Sequence, residues 1–142
     1  MLHRMMIGGG SQSRGFPSDY PAITTTNLVS LVDAAWLQSY SGSGVSWRNI
    51  STSPADGSSV GAYDWYRGDG STSSTYPTFN GSAGGHTSSE FFSYDGGDYN
   101  NLQSGANTTF INSMHKDNAA WTIWAFIKPT NLLTYHMIFS TV

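Results

Sequence analysis

The chain has no cysteine, one glutamate (Glu90) and little charge of either sign: Asp, Glu, Lys and Arg together make up 11% of its 142 residues. Without cysteine there is no disulfide and no thiolate metal site. The six basic residues, Arg4, Arg14, Arg48, Arg67, Lys116 and Lys128, are scattered, and the net charge is −3. Nucleic-acid binding needs a basic stripe, so it is not expected. No apolar run approaches the ~20 residues of a membrane-spanning helix, so membrane insertion is not expected either. Residues 1–10 do not contain the apolar core of a secretory leader.

Scarcity of acid also bears on catalysis. Glycoside cleavage by paired carboxylates needs two of them close together. Glu90 has no Asp or Glu within four positions, and Asp95 lies beyond a turn. His3, His86, His115 and His136 lack metal-ligand spacing, and there is no Gly-x-Ser-x-Gly nucleophile elbow. The sequence therefore reads as that of a protein that is not an enzyme.

What the chain does have is aromatic side chains, 14% of the total, and a polar complement made mostly of Ser, Thr, Asn and Gly. These polar residues are poor helix formers, because they compete for backbone hydrogen bonds or cost backbone entropy. They suit turns and the outward positions of strands. An all-β, antiparallel fold follows. Residues 1–21 form an arm: Gly8-Gly9-Gly10-Ser11-Gln12-Ser13 is flexible by composition, and Pro17 and Pro21 interrupt any regular element. It is either an unanchored leader or an extended peptide that docks on a neighbouring subunit. Residues 22–142 form the β domain.

Within that domain, residues 28–37 suit either an amphipathic helix, with Leu28, Leu31, Val32 and Ala35 in helical period, or a strand over 27–33 followed by an irregular Ala-Ala-Trp-Leu segment. The all-β surroundings favour the strand. Further strands are predicted at 45–50, 62–66, 78–80, 88–94 and 99–102. Turns are predicted at 41–44, 81–85 and 95–98, and a short helical turn near 111–115. Residues 121–127, Trp-Thr-Ile-Trp-Ala-Phe-Ile, carry bulky apolar groups at both alternations. That is the pattern of a strand buried on two sides, expected to pack against the aromatics of 91–99 and to end at Pro129. A last strand is predicted from Leu132 to Val142. Its apolar end reads as the middle of a sheet, so the domain is expected to continue beyond this sequence or to be completed by another chain.

The order of five weak motifs resembles the first half or more of concanavalin A-like, laminin-G-like jelly-roll domains, in particular those of tailed-bacteriophage structural proteins. The motifs are the apolar run 28–37; Tyr40-Ser41-Gly42-Ser43-Gly44 before the Trp47-Arg48-Asn49-Ile50-Ser51 strand; and Tyr76-Pro77-Thr78-Phe79 before Gly84-Gly85. Next comes Phe92-Ser93-Tyr94-Asp95-Gly96-Gly97-Asp98-Tyr99, and last the Trp121 to Pro129 segment with Met137-Ile138-Phe139-Ser140. The resemblance covers residues 25–142. It departs at 51–57, where Ser-Thr-Ser-Pro-Ala-Asp-Gly replaces an Asn/Gly-rich turn, and in lacking the second half of the sandwich. It implies an antiparallel β-sandwich of the jelly-roll, concanavalin A-like type, incomplete at its C-terminal end. It also implies a structural protein of the virion: a capsid decoration, head-fibre or tail-fibre module. Such a module would be assembled in the host cytoplasm and exposed outside the cell. Its partners would be other virion proteins and further copies of itself. A lectin-like module that attaches to cell-surface glycan is the second reading. A fragment of a jelly-roll glycoside hydrolase is the third, and would need carboxylates that this chain lacks.

Two candidate sites follow. Asp95 and Asp98 flank Gly96-Gly97, and with loop carbonyls they offer oxygen ligands for calcium, which related jelly rolls bind at their rims. The same spacing is also plain turn chemistry. Tyr63, Trp65, Tyr66 and Tyr76 lie in a polar region and offer aromatic faces on which a sugar ring stacks. The alternative is that they cap the core.

Overall fold

The structure, a computed structural model, describes residues 27–51, 63–102, 112 and 116–130. Among these the strands are β1 (Ser46–Trp47), β2 (Trp65–Arg67), β3 (Thr78–Asn80), β4 (Phe91–Ser93) and β5 (Asn100–Leu102), with a 3-10 turn at Ser73–Thr75. β2 is the centre of a three-stranded antiparallel sheet. Trp47 opposes Trp65 on one side, and Leu102 opposes Trp65 on the other. β3 and β4 form a second antiparallel pair, with Phe79 opposite Phe92. The protein is thus all-β and antiparallel in its described parts, as its composition implies.

The strands are short because turns intrude early. β2 ends at Gly68, whose φ of 56° is left-handed. A Cβ there would lie 2.1 Å from the Thr75 hydroxyl and 2.8 Å from the Thr75 carbonyl oxygen, so only glycine has room. Predicted and observed strands coincide at 78–80. Those predicted at 45–50, 62–66, 88–94 and 99–102 are observed as the inner part of the predicted range, or shifted within a residue or two of it. The predicted turns at 41–44, 81–85 and 95–98 carry no strand.

Residues 27–33 do not form the expected strand. Residues 29–31 lie beside 49–51, but a side chain supplies most of the pairing. The Asn49 amide oxygen accepts from the N–H of Leu31 (2.9 Å) and of Ser51 (3.0 Å), and its amide nitrogen donates to the Val29 carbonyl (3.2 Å). Among the described residues only Ile50 N–H to Leu31 C=O (2.9 Å) is a backbone rung. Asn49 itself is fully buried, and its N–H donates to the Asp64 carboxylate at 2.8 Å. The next residues, Asp33 to Tyr40, wind into a tight turn. There the Trp36 carbonyl accepts from Ser39 and Tyr40, and the Ser39 hydroxyl joins Asp33 N–H to Arg48 C=O.

The two sheets meet through aromatic rings. Phe92 of β4 lies edge-on to Tyr40 and to Trp47 of β1, each at 4.9 Å between centroids, and packs on Phe79 at 5.8 Å. Such edge-to-face contacts add roughly 0.5–1.5 kcal/mol each beyond the area they bury. A separate apolar cluster, Tyr63 with Leu102, is covered by Val29 and Trp65.

Residues 121–127 overturn the expectation of a doubly buried strand. They pair with no described strand, and every residue from 116 to 130 is exposed, Trp124 at 84% and Phe126 at 99%. The rings of 91–99 consequently do not pack on them; Phe92 packs on Tyr40, Trp47 and Phe79 instead. The arm over 1–21 and the last strand over 132–142 lie outside the described residues. Of the helical turn at 111–115 only Asn112 is described, and its conformation is helical. Among the described residues no helix is long and apolar enough to cross a membrane.

Candidate functional site

The four aromatics proposed as a sugar platform are not brought onto one open face. Tyr63 is fully buried in the cluster with Leu102 and offers no face to a ligand. Trp65 is half-buried over that cluster. Tyr66, one residue on, points to the other side of the sheet, where its ring lies against Gly70: a Cβ at Gly70 would sit 2.8 Å from it. Tyr76 stacks with Arg67. Each ring is committed to packing, the core-capping alternative that aromatic burial favours.

Arg67, which the sequence did not single out, is the node of this region. Its guanidinium lies 5.5–5.7 Å from the ring centroids of Tyr40, Tyr76 and Phe92. It donates to the Pro77 carbonyl from Nε (3.1 Å) and Nη2 (2.6 Å), and to the Tyr40 hydroxyl (2.8 Å) and Gly44 carbonyl (3.0 Å) from Nη1. The planar fork thus ties β2 to the loops around β1 and β3, with neutral acceptors and π faces in place of a carboxylate. Burial raises the Tyr40 hydroxyl pKa above its ordinary 10.0, and Arg67 partly offsets the rise.

The acidic residues of the described loops hold their own turns together. Asp95 accepts from Gly97 N–H (3.0 Å), and Asp98 accepts from Asp95 N–H (3.1 Å). These two carboxylates fall well short of the six to eight oxygens calcium takes. No group of three His, Asp or Glu side chains that could hold a metal occurs among the described residues. Glu90 brackets the 82–90 loop by accepting from Thr87 N–H (2.7 Å), Thr87 hydroxyl (2.8 Å) and Ser82 N–H (3.3 Å). The Thr87 bonds lower its pKa. Asp69 does the same for the turn before Ser73. The Thr72 hydroxyl and amide, with the Ser71 amide, hold its carboxyl well below the usual carboxylate range.

Two features remain uncommitted. One is the apolar segment 121–127, whose exposed side chains include Trp121, Ile123, Trp124, Phe126 and Ile127. Lys128 and Pro129 close it with a charge and an imino ring, devices that limit uncontrolled edge pairing. The other is a cleft of about 200 Å³ beside the loop 41–44, lined by serines and Arg48. Alternation and hydrophobicity revealed the first as strand-like but not as exposed. The second had no signal beyond its Ser-Gly-Ser-Gly turn.

A scan against protein-family models finds no match, and searches of the curated proteins and of the solved structures find none either. The class of the protein is therefore set by its own architecture: an all-β protein of antiparallel sheets joined by an aromatic junction.

Proposed function

We propose that this protein is a structural module that acts by assembly, a surface component of a virion such as a capsid decoration, head-fibre or tail-fibre element. Its two antiparallel sheets, joined at Phe92, would be part of a jelly-roll sandwich of the concanavalin A-like type. The observation that carries the reading is the exposed segment 121–127. A run of seven residues with two tryptophans, one phenylalanine, two isoleucines and no charge is expensive to leave in water, at roughly 1.5–3 kcal/mol per large apolar side chain. Large exposed apolar surface marks a contact site, and Trp is among the residues that dominate contact energies. Its backbone amides have no hydrogen-bond partner among the described residues, which adds strand pairing as a mode of docking. The virion assignment rests on the order of motifs described above; the assembly assignment rests on this segment.

Glycan attachment has less support, because the aromatic residues it would use are packed. Sedimentation velocity over a hundredfold range of concentration tests the assembly reading. The parent is expected to self-associate, and the double variant Trp124→Lys/Phe126→Lys to need at least about tenfold higher concentration for the same degree of association, an interface loss of at least ~1.4 kcal/mol. Equal association of parent and variant, or a parent that stays monomeric throughout, would contradict it.

A further inference from the structure

The loop that precedes β1 walls a cleft of about 200 Å³, lined by residues that include Leu37, Ser41, Ser43, Gly44, Ser46 and Arg48. Its chemistry is one-sided. Arg48 is fixed through its backbone, since its N–H donates to Ser39 C=O and its own C=O accepts from the Ser39 hydroxyl, both at 2.8 Å. Arg48 is half-buried, and its guanidinium, in contrast to that of Arg67, has no hydrogen-bond or ion-pair partner among the described residues. Among the described residues no carboxylate lines the cleft. The nearby Asp33 turns its carboxylate to the Ala35 N–H (2.8 Å), within its own turn.

The loop itself adds donors. Gly42 and Gly44 have φ of 86° and 81°, a left-handed geometry that suits glycine. The amides of Ser41 to Gly44 have no hydrogen-bond partner among the described residues. The Gly44 carbonyl, the group that would repel an anion, is taken up by Arg67 Nη1 at 3.0 Å. That places a second positive charge behind the loop. Leu37, 40% exposed, supplies one apolar wall.

We infer that this cleft binds a small hydroxylated carboxylate of the sugar-acid class. The Arg48 fork takes the two carboxylate oxygens, a geometry that an arginine matches and a neutral group does not. The Ser43 hydroxyl and the loop amides take the ligand's hydroxyl groups, the Ser41 hydroxyl being held by the Ser43 carbonyl (3.1 Å), and Leu37 takes its C–H face. One cation without a partner among the described lining residues balances one negative charge, which favours a carboxylate over a doubly charged phosphate. The inference is independent of the segment 121–127 and of the assembly reading.

The test is calorimetric titration of the full chain, at fixed ionic strength, with sodium glucuronate, glucose and inorganic phosphate in turn. Glucuronate is expected to saturate with a Kd on the order of 1 mM, and glucose and phosphate to bind at least about tenfold more weakly. Arg48→Gln is expected to weaken glucuronate at least about tenfold. Ser43→Glu, an exposed change that leaves Arg48 in place, is expected to do the same with an unchanged melting temperature. The inference is overturned if the parent shows no saturable glucuronate binding, if glucose or phosphate binds as tightly, or if the folded Ser43→Glu protein binds like the parent.

Discussion

Two stretches of this chain look alike on paper and behave differently in the fold. Residues 91–94 and residues 121–127 are both rich in aromatics, and both are strand-like by propensity. The first forms β4, pairs with β3 in register and directs Phe92 into a cluster of four rings while Phe91 faces solvent. The second has no described partner and leaves its rings in water. A strand is made by the edge it finds as much as by its own residues, because its backbone groups need a ladder and its side chains need a facing layer. Residues 91–93 have a neighbour only eleven to fifteen positions upstream across the 81–90 loop, which Glu90 closes. Residues 121–127 have no such local hairpin partner among the described residues. In the proposed function their partner is supplied by assembly, and that is the link between the fold and the proposal.

The contrast can be broken from the packed side first. Asn49→Ala should have the largest effect. It removes the acceptor of two buried-region amides and the donor to Val29 C=O, and at roughly 1–3 kcal/mol for each group left unsatisfied a loss of about 3 kcal/mol is expected in urea unfolding. A change under ~1 kcal/mol would mean that the 27–33 segment is held by something other than Asn49. Phe92→Ala comes next. It takes away three ring contacts from a half-buried position, and the loss expected in the same assay is about 2–3 kcal/mol.

A smaller effect is readable in pH. The Tyr40 pKa in the folded protein lies above 10.0, with burial as the main cause. The folded state therefore holds that proton more tightly than the unfolded chain does. The stabilisation is complete below pH 10.0 and is lost as pH rises through the folded pKa. The urea midpoint should fall in that alkaline window for the parent, and fall less for Tyr40→Phe. The smallest effect belongs to the exposed segment: Trp124→Ala should change monomer stability by no more than about 0.5 kcal/mol. A loss comparable to that of Phe92→Ala would erase the difference between the two stretches.

The legible part of this protein is the part governed by local chemistry. Turn residues mark 41–44, 81–85 and 95–98, and residues 78–80 are bounded by Pro77 and Gly81, so their strand is read in register. The two aspartates at 95 and 98 could be recognised as turn formers from their spacing, and that is what they do; Glu90, read as part of a strand, instead closes the 82–90 loop. What pattern alone cannot reach is long-range. The 27–33 segment has the apolar content of a strand, but its pairing comes from a side chain, that of Asn49, which alternation does not report. Arg67 reads as an isolated cation, and only the fold surrounds it with Tyr40, Tyr76 and Phe92. Residues 121–127 show the apolar density of a buried strand. Density states that the surface will be covered, without stating whether the cover comes from the same chain. The aromatic residues at 63, 65, 66 and 76 show the same ambiguity in reverse, since their polar surroundings in sequence do not report that Tyr63 is buried and the other three half-buried.

Hydrogen exchange tests the central claim most directly, read on the amides of residues 121–127 against those of β2 as protein concentration is raised. In dilute solution the β2 amides should be protected and those of 121–127 should exchange near the rate of an unstructured peptide. At high concentration 121–127 should gain protection while β2 stays unchanged. Protection of 121–127 equal to that of β2 at every concentration would place the segment in the monomer's own sheet and contradict the account.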